Sequence, residues 1–360
     1  MTAEDLPEAD RVAGAPHPRD SRQVLGQDAA VADFLAAAAA GRMHHGWLLT
    51  GPRGTGKATL AWAMAKWLLA GGTPDRLGVD PEAPVVRRIR ALSEPRLLLV
   101  RRPVDEKSGR LRAEITVDEV RRLQSFFHMS AAEGGHRVAI IDAADEMNLA
   151  AANALLKQLE EPPRDATLIL VAHQPGRLLP TIRSRCRELR LHSLGAGEMG
   201  RVLGDLGIEG DAERLGALAG GSAGEAVRLA AQDGLSVYAS IVRLFADFPR
   251  MDRRAAASLA EIAAARAGAE GDPFDLVVTL LDRFLTRAAR TGLLGAPLPE
   301  AAPGEAEVLS RISPDQRAAQ LWAGAQAELS ARARAGRAVN LDPSALVMDM
   351  LIGLANQPAA

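Results

Sequence analysis

Cysteine is nearly absent from this chain: Cys186 is the one thiol among 360 residues. That excludes a disulfide framework and a cysteine-based zinc site, and it fits a reducing compartment, the cytoplasm. Aromatic residues are scarce as well, at 3%, so alanine and leucine carry most of the 48% apolar content and favour helix. No apolar run approaches the roughly 18–20 residues of a membrane-spanning helix, so no membrane partner is expected. A net charge of −2 provides no global basic field to draw the chain onto nucleic acid. Met1–Asp20 lacks the basic start and apolar centre of a signal peptide, and its acidic, proline-containing composition reads as a disordered leader.

From Ser21 to Leu191, short apolar runs alternate with helical segments, the pattern of a parallel α/β sheet. Expected strands are Trp47–Thr50, Leu97–Arg101, Val138–Asp142, Thr167–Ala172 and Arg187–Leu191. Expected helices run from Gly56 to Ala70, from Thr116 to His128, and from an Asn148 N-cap to Pro162-Pro163. Beyond Leu191 strand signals cease. Residues 196–235 read as short helices broken by glycine, and residues 236–357 as long Ala/Leu/Arg helices interrupted by a Pro/Gly-rich loop at Gly295–Gly304.

The most specific motif is Gly51-Pro52-Arg53-Gly54-Thr55-Gly56-Lys57-Ala58-Thr59. Its glycines and lysine follow the phosphate-binding loop: backbone N–H groups turn inward around phosphate, and the ammonium reaches the outer phosphates. Lysine at this position carries weight, because the chain has only four lysines against 39 arginines. Ala58 occupies the place of the Ser or Thr whose hydroxyl would hold Mg²⁺, which argues against Mg²⁺ binding, while ATP or ADP remains possible. Thr59 is rotated by about 100° along the helix, a poor direction for a substitute.

A second apolar strand ends in Asp142, as the nucleotide-binding pattern requires, but Ala143 follows where a water-polarising base would stand. Asp145 and Glu146 lie three and four residues on, too far to replace it. Two chemistry-bearing positions are thus alanine.

Three further segments bear on identity: Asn153–Pro163 (NALLKQLEEPP), Thr181–Cys186 (TIRSRC) and Gly221–Ala226 (GSAGEA). Together with the loop, they closely resemble the clamp-loader branch of the AAA+ ATPases over residues 21–229. The resemblance implies a RecA-like α/β AAA+ domain with a parallel sheet, a small helical lid and an all-α collar for oligomerisation. It implies a hetero-pentameric ring with gamma/tau and delta subunits of DNA polymerase III, which loads the sliding clamp onto primer–template DNA. It further implies that Arg185 serves the neighbouring subunit's ATP site as an arginine finger in trans, with Arg183 a surface residue and Cys186 a small core residue. Two more family positions are altered here: Gly224 replaces the lid arginine that senses γ-phosphate, and Ala172-His173 replaces a polar sensor. The segment Gly71–Pro95, where many relatives carry four zinc-binding cysteines, has none, so no zinc is expected.

The expectation is a hydrolysis-deficient subunit that supports chemistry next door. The alternative is an active ATPase, either a motor clamp-loader subunit or a branch-migration-type helicase. An arginine-rich stretch, Arg87 to Arg122, reads as solvated surface without interleaved aromatics for stacking on single strands. His44-His45 lack further metal-ligand spacing.

Overall fold

The computed structural model describes residues 8–12, 14–105, 109, 111–128, 135–268 and 271–356. They divide into two compact units, residues 1–194 and 195–360.

In the first unit, helices α1 (Asp28–Ala39), α2 (Lys57–Ala70), α3 (Pro84–Arg90), α4 (Val117–His128), α5 (Leu149–Glu160) and α6 (Pro180–Arg183) accompany five strands. The strands are β1 (Gly46–Thr50), β2 (Leu97–Arg101), β3 (Arg137–Asp142), β4 (Ala166–Ala172) and β5 (Arg187–Arg190). They form one parallel sheet in the order β2-β3-β4-β1-β5. The unbroken apolar runs of β3 and β4 follow from burial on both faces. Val138, Ile140, Ile169 and Val171 pack with α1, α2 and α3 residues such as Phe34, Leu60 and Val86. Ala139, Ile141, Leu168 and Leu170 pack with Leu123, Leu155 and Ile182 of α4, α5 and α6. Register places Thr50 beside Ala172, and Asp142 beside Val171 and Arg101, at the carboxyl ends of their strands. Ligands of open α/β sheets bind at that edge.

The strands expected from sequence agree with the observed ones to within one residue at each end. Asn148 caps α5 as its sequence position suggests, its Oδ1 accepting from the Ala151 N–H at 2.9 Å. The leader differs. Within residues 8–20, a 3-10 turn at Pro18–Asp20 follows a buried His17, and the Asp10 side chain is fully buried. Ion pairs hold these residues, which supplies what their apolar-poor sequence cannot: Asp10 lies 3.1 Å from His17 Nε2 and 2.6 Å from Arg101 Nη1.

The second unit is helical: α7 (Ala196–Asp205), α8 (Ala212–Leu218), α9 (Ala223–Ala231), α10 (Gly234–Leu244), α11 (Arg253–Ala264), α12 (Pro273–Leu294), α13 (Glu305–Ile312), α14 (Gln316–Ala338) and α15 (Pro343–Ala355). Most starts are written in side-chain caps. Asp211, Ser222, Asp252, Asp272, Asp315 and Asp342 each accept a backbone N–H of the first turn. Such caps contribute about 1 kcal/mol each. Several of the few aromatics gather here, with Tyr238, Phe245, Phe248, Phe284 and Trp322 in mutual ring contact. Glu305, wholly buried at the start of α13, accepts from the Tyr238 hydroxyl at 2.5 Å, from Arg287 Nε at 2.5 Å and from the Ala301 N–H at 2.6 Å. Segments 196–235 and 236–357 fall within this one unit. Arg283 of α12 reaches the carboxylate of Glu225 on α9 at 2.6 Å and the carbonyl of Leu218 at the end of α8.

Candidate functional site

The loop at residues 51–58 lies between β1 and α2, in the strand–loop–helix setting its motif requires. Gly51 has φ +136°, and a Cβ there would stand 2.4 Å from the Leu191 carbonyl oxygen, so only glycine fits. Thr55 is buried and donates its hydroxyl to the Pro52 carbonyl at 2.9 Å, which closes the loop on itself. Lys57 opens α2 with its ammonium donating to the carbonyls of Gly51 at 2.8 Å and Pro52 at 2.6 Å. Burial drives the Lys57 pKa down to about 8, against the opposing pull of Asp142 and Asp145.

Asp142 ends β3 and is buried. Burial first, and Asp10 second, raise its carboxyl to about 7, although Lys57 opposes the rise. Ala143 next to it is buried and offers no base. The two acids that follow have other tasks. Asp145 accepts from the N–H groups of His173 at 3.0 Å and Gln174 at 2.9 Å, so each of its oxygens anchors the end of β4. Glu146 binds Arg53 of the loop at 3.0 Å and Arg102 at 2.7 Å. His173 has a buried Nδ1 without a hydrogen-bond partner, and burial together with Lys57 and Arg53 pushes its pKa down to about 4. The imidazole is therefore neutral at pH 7 and lies within the field of the loop's cations.

These residues suit phosphate better than a metal. Lys57 and a loop that tolerates only glycine at Gly51 have the make-up of a phosphate cradle. The donor set for Mg²⁺ is poor: Ala58 contributes a methyl, and Asp142 is half protonated near neutrality. Among the described residues no group of three or more His, Cys, Asp or Glu side chains could hold a metal ion.

Arg185 follows α6 on the surface of the same unit and is partly exposed. Its Nη2 pairs with Glu160, the last residue of α5, at 2.9 Å, and its Nη1 donates to the Thr181 carbonyl at 3.0 Å. The backbone of this motif packs closely on β1, since a Cβ at Gly46 would lie 3.3 Å from both the Arg185 carbonyl oxygen and the Cys186 sulfur. Cys186 packs against the sheet core, where burial pushes its thiol up to about 12. Arg183 is exposed. The structure thus brings Gly51–Thr59 and Asp142 together in one cradle and sets Arg185 apart beside Glu160. Gly224 belongs to the second unit, at the start of α9.

Two positioning elements have no motif in the sequence. Gln27, buried just before α1, donates to the carbonyls of Thr55 at 3.2 Å and His192 at 2.8 Å, and accepts from the His192 N–H at 3.1 Å. It ties the loop to the chain leaving β5. A lone glutamine carries no periodicity or spacing, so only the contact map reveals it. The second is the Glu8–Asp10–His17–Arg19–Arg101 network beside α2, where His17 also meets Trp62 edge-on at 5.7 Å. Its sequence trace is His17 standing between Pro16 and Pro18.

The arginine-rich stretch is largely neutralised. Arg88 and Arg96 share buried Glu94, Arg101 holds Asp10, Arg102 holds Glu146, and Arg121 and Arg122 pair with Asp118 and Glu119. Arg110 lies outside the described residues. His44 and His45 are spent on the Gly46 and Leu159 backbone.

The segment that carries these residues is similar to known proteins. A family described as "DNA polymerase III, delta subunit" matches residues 26–195. The chain is 39% identical over 202 residues to DNA polymerase III subunit delta' of Pseudomonas aeruginosa, covering 55% of this chain and 59% of that protein. It is 32% identical over 209 residues to the subunit delta' of Bacillus subtilis, covering 57% and 59%. It is also 33% identical over 171 residues to the gamma/tau subunit of Mycobacterium tuberculosis, covering 47% and 28%. The matched stretch thus spans under two thirds of each relative's length. No helix among the described residues is long and apolar enough to cross a membrane. The parallel sheet and the phosphate-loop motif leading into α2 lie within the segment, residues 26–195, that is similar to the family described as "DNA polymerase III, delta subunit".

Proposed function

We propose that this protein acts as the delta-prime subunit of a bacterial clamp loader, a ring member that does not hydrolyse ATP itself and offers Arg185 to the ATP site of its neighbour. One contrast carries the reading. The chain's own cradle has lost its metal hydroxyl at Ala58 and its base at Ala143, while Arg185 is kept as a partly exposed cation at a surface that a neighbour can reach. An arginine supplied in trans stabilises charge on the transferring phosphoryl group and is worth roughly 10³–10⁵ in rate in other nucleotide hydrolases.

In this reading the cradle at Gly51–Ala58 holds ATP or ADP as a structural ligand, without a dedicated Mg²⁺ site. Residues 196–235 form the lid, and residues 236–357 the collar through which the gamma/tau and delta subunits assemble in a hetero-pentamer. The sliding clamp and primer–template DNA are met through the complex, in the bacterial cytoplasm. The similarity to delta' and gamma/tau proteins supports membership of such an assembly.

The test is ATP turnover by the reconstituted complex, with and without primed DNA. Arg185→Ala is expected to lower DNA-stimulated turnover while the complex still elutes as one species. Unchanged turnover would sink the finger assignment, and turnover by the purified chain alone, lost on Lys57→Ala, would establish an active ATPase instead.

A further inference from the structure

Two of the sequence motifs meet at one ion pair. Glu160 closes the Asn153–Pro163 segment's helix, and Arg185 is the fifth residue of Thr181–Cys186; the two side chains join at 2.9 Å. A carboxylate at the end of α5 is poorly placed for the helix itself, because the C-terminal end of the macrodipole is negative. Helix stability therefore does not account for Glu160. Its partner does.

Both outer nitrogens of Arg185 are engaged within the chain, Nη2 by Glu160 and Nη1 by the Thr181 carbonyl. A guanidinium grips a phosphoryl group through two parallel N–H donors. Glu160 occupies one of those donors, and its negative charge repels any phosphate oxygen brought to the same fork. Carboxylate and phosphate exclude each other there.

We propose that Glu160 is a latch on Arg185, a positioning residue that holds the finger in a resting geometry until the phosphates of a neighbouring nucleotide displace it. The inference rests on the reading of Arg185 as a finger in trans. Glu160 thereby sets how readily the finger engages, and it restrains turnover when the ring is not committed to DNA. The pair is about half exposed, with side-chain accessibilities of 36% for Arg185 and 49% for Glu160. The latch is accordingly light, as a regulatory contact must be if binding energy from a neighbour is to open it.

The experiment measures ATP turnover without DNA by the reconstituted complex carrying Glu160→Gln, Arg185→Ala, or both. Glu160→Gln keeps size and polarity at an exposed helix end while removing the charge. It is expected to raise DNA-independent turnover by about two- to fivefold, the range an exposed ion pair supports. The rise is expected to vanish in the double variant, which a merely structural role for Glu160 would not produce. Equal or lower turnover for Glu160→Gln, or a rise that persists without Arg185, overturns the latch. If Arg185→Ala alone leaves turnover unchanged, the finger reading fails and the latch with it. If Arg185→Ala lowers turnover while Glu160→Gln changes nothing, only the latch fails.

Discussion

The first unit holds two cationic sites built on opposite physical terms. In the cradle, Lys57 is buried, its pKa is driven down to about 8, and the carboxyl that faces it is driven up to about 7. Both groups of that pair are pushed toward neutrality, which is what burial does to charges without full compensation. At the α6 end, Arg185 keeps its charge in contact with solvent and with a single carboxylate. Under the proposed reading, a site that stabilises developing negative charge needs a permanent cation near solvent, and the exposed corner would supply one once its contacts with Glu160 and Thr181 open.

The largest effect should come from exchanging the two cations' losses. In a reconstituted complex, Arg185→Ala is expected to reduce turnover at the site it serves by roughly a thousandfold or more, whereas Lys57→Ala should leave turnover within about a factor of two. Single-turnover ATP hydrolysis by the assembled ring distinguishes the two. A large loss with Lys57→Ala would reverse the comparison and return the chemistry to this chain's own loop.

How far the sequence reveals this division depends on the kind of signal. Strand positions were legible because both faces of the sheet are buried and the apolar runs are unbroken, as in Val138–Ile141 and Leu168–Val171. The loop is legible because its glycines and lysine stand at fixed spacing between a strand and a helix, β1 and α2. Gln27 was not, since one buried amide bridging the Thr55 carbonyl and the His192 backbone leaves no pattern in the chain. The described residues between 8 and 20 are hard to read from sequence for a related reason. Their acidic composition signals disorder, yet Glu8 and Asp10 are partnered by His17, Arg19 and Arg101, and Arg101 is distant in sequence. Composition counts charges without knowing which of them meet.

The next effect is on stability, and it separates the buried carboxyls of the cradle from those of the N-terminal network. Asp142 has an ordinary value of 3.8 and a folded value of about 7, so between these the folded state holds a proton that the unfolded state has lost. The stability it contributes is fully present below about pH 3.8 and is lost as pH rises toward 7. Asp10 runs the other way. His17 and Arg101 outweigh burial and hold it at about 2, so its contribution is present above pH 3.8 and is lost as pH falls toward 2. Asp142→Asn should therefore flatten the decline between pH 4 and 7 and stabilise the fold at pH 8 by about 2 kcal/mol, less than the full shift would give because Lys57 loses its counter-charge. Urea unfolding at pH 5 and pH 8 reads both quantities. Wild-type and Asn variants that decline in parallel would show that Asp142 titrates as an ordinary exposed acid.

The smallest effect probes whether the cradle's weakness toward metal lies in one atom. Mg²⁺ in a phosphate loop is held by the hydroxyl after the lysine, by phosphate oxygens and by acidic groups on the strand. Ala58 removes the first of these, and the raised pKa of Asp142 weakens the last. Nucleotide binding by the wild-type chain should consequently change by less than about twofold when Mg²⁺ is withdrawn. Ala58→Thr returns the hydroxyl at a position that is only partly buried, so the added atoms have room. With half of the strand carboxyl still protonated near pH 7, the restored ligand should introduce only about a three- to tenfold dependence on Mg²⁺, growing as the pH is raised to 8. Calorimetric titration of the chain with ADP, with and without Mg²⁺ at both pH values, measures this. A variant that gains no dependence at either pH would place the defect beyond Ala58, in the buried carboxyl and its Asp10 neighbour. A wild-type chain that already binds tenfold tighter with Mg²⁺ would show that the cradle keeps a metal site of its own, and the contrast with Arg185 would narrow to the missing base at Ala143.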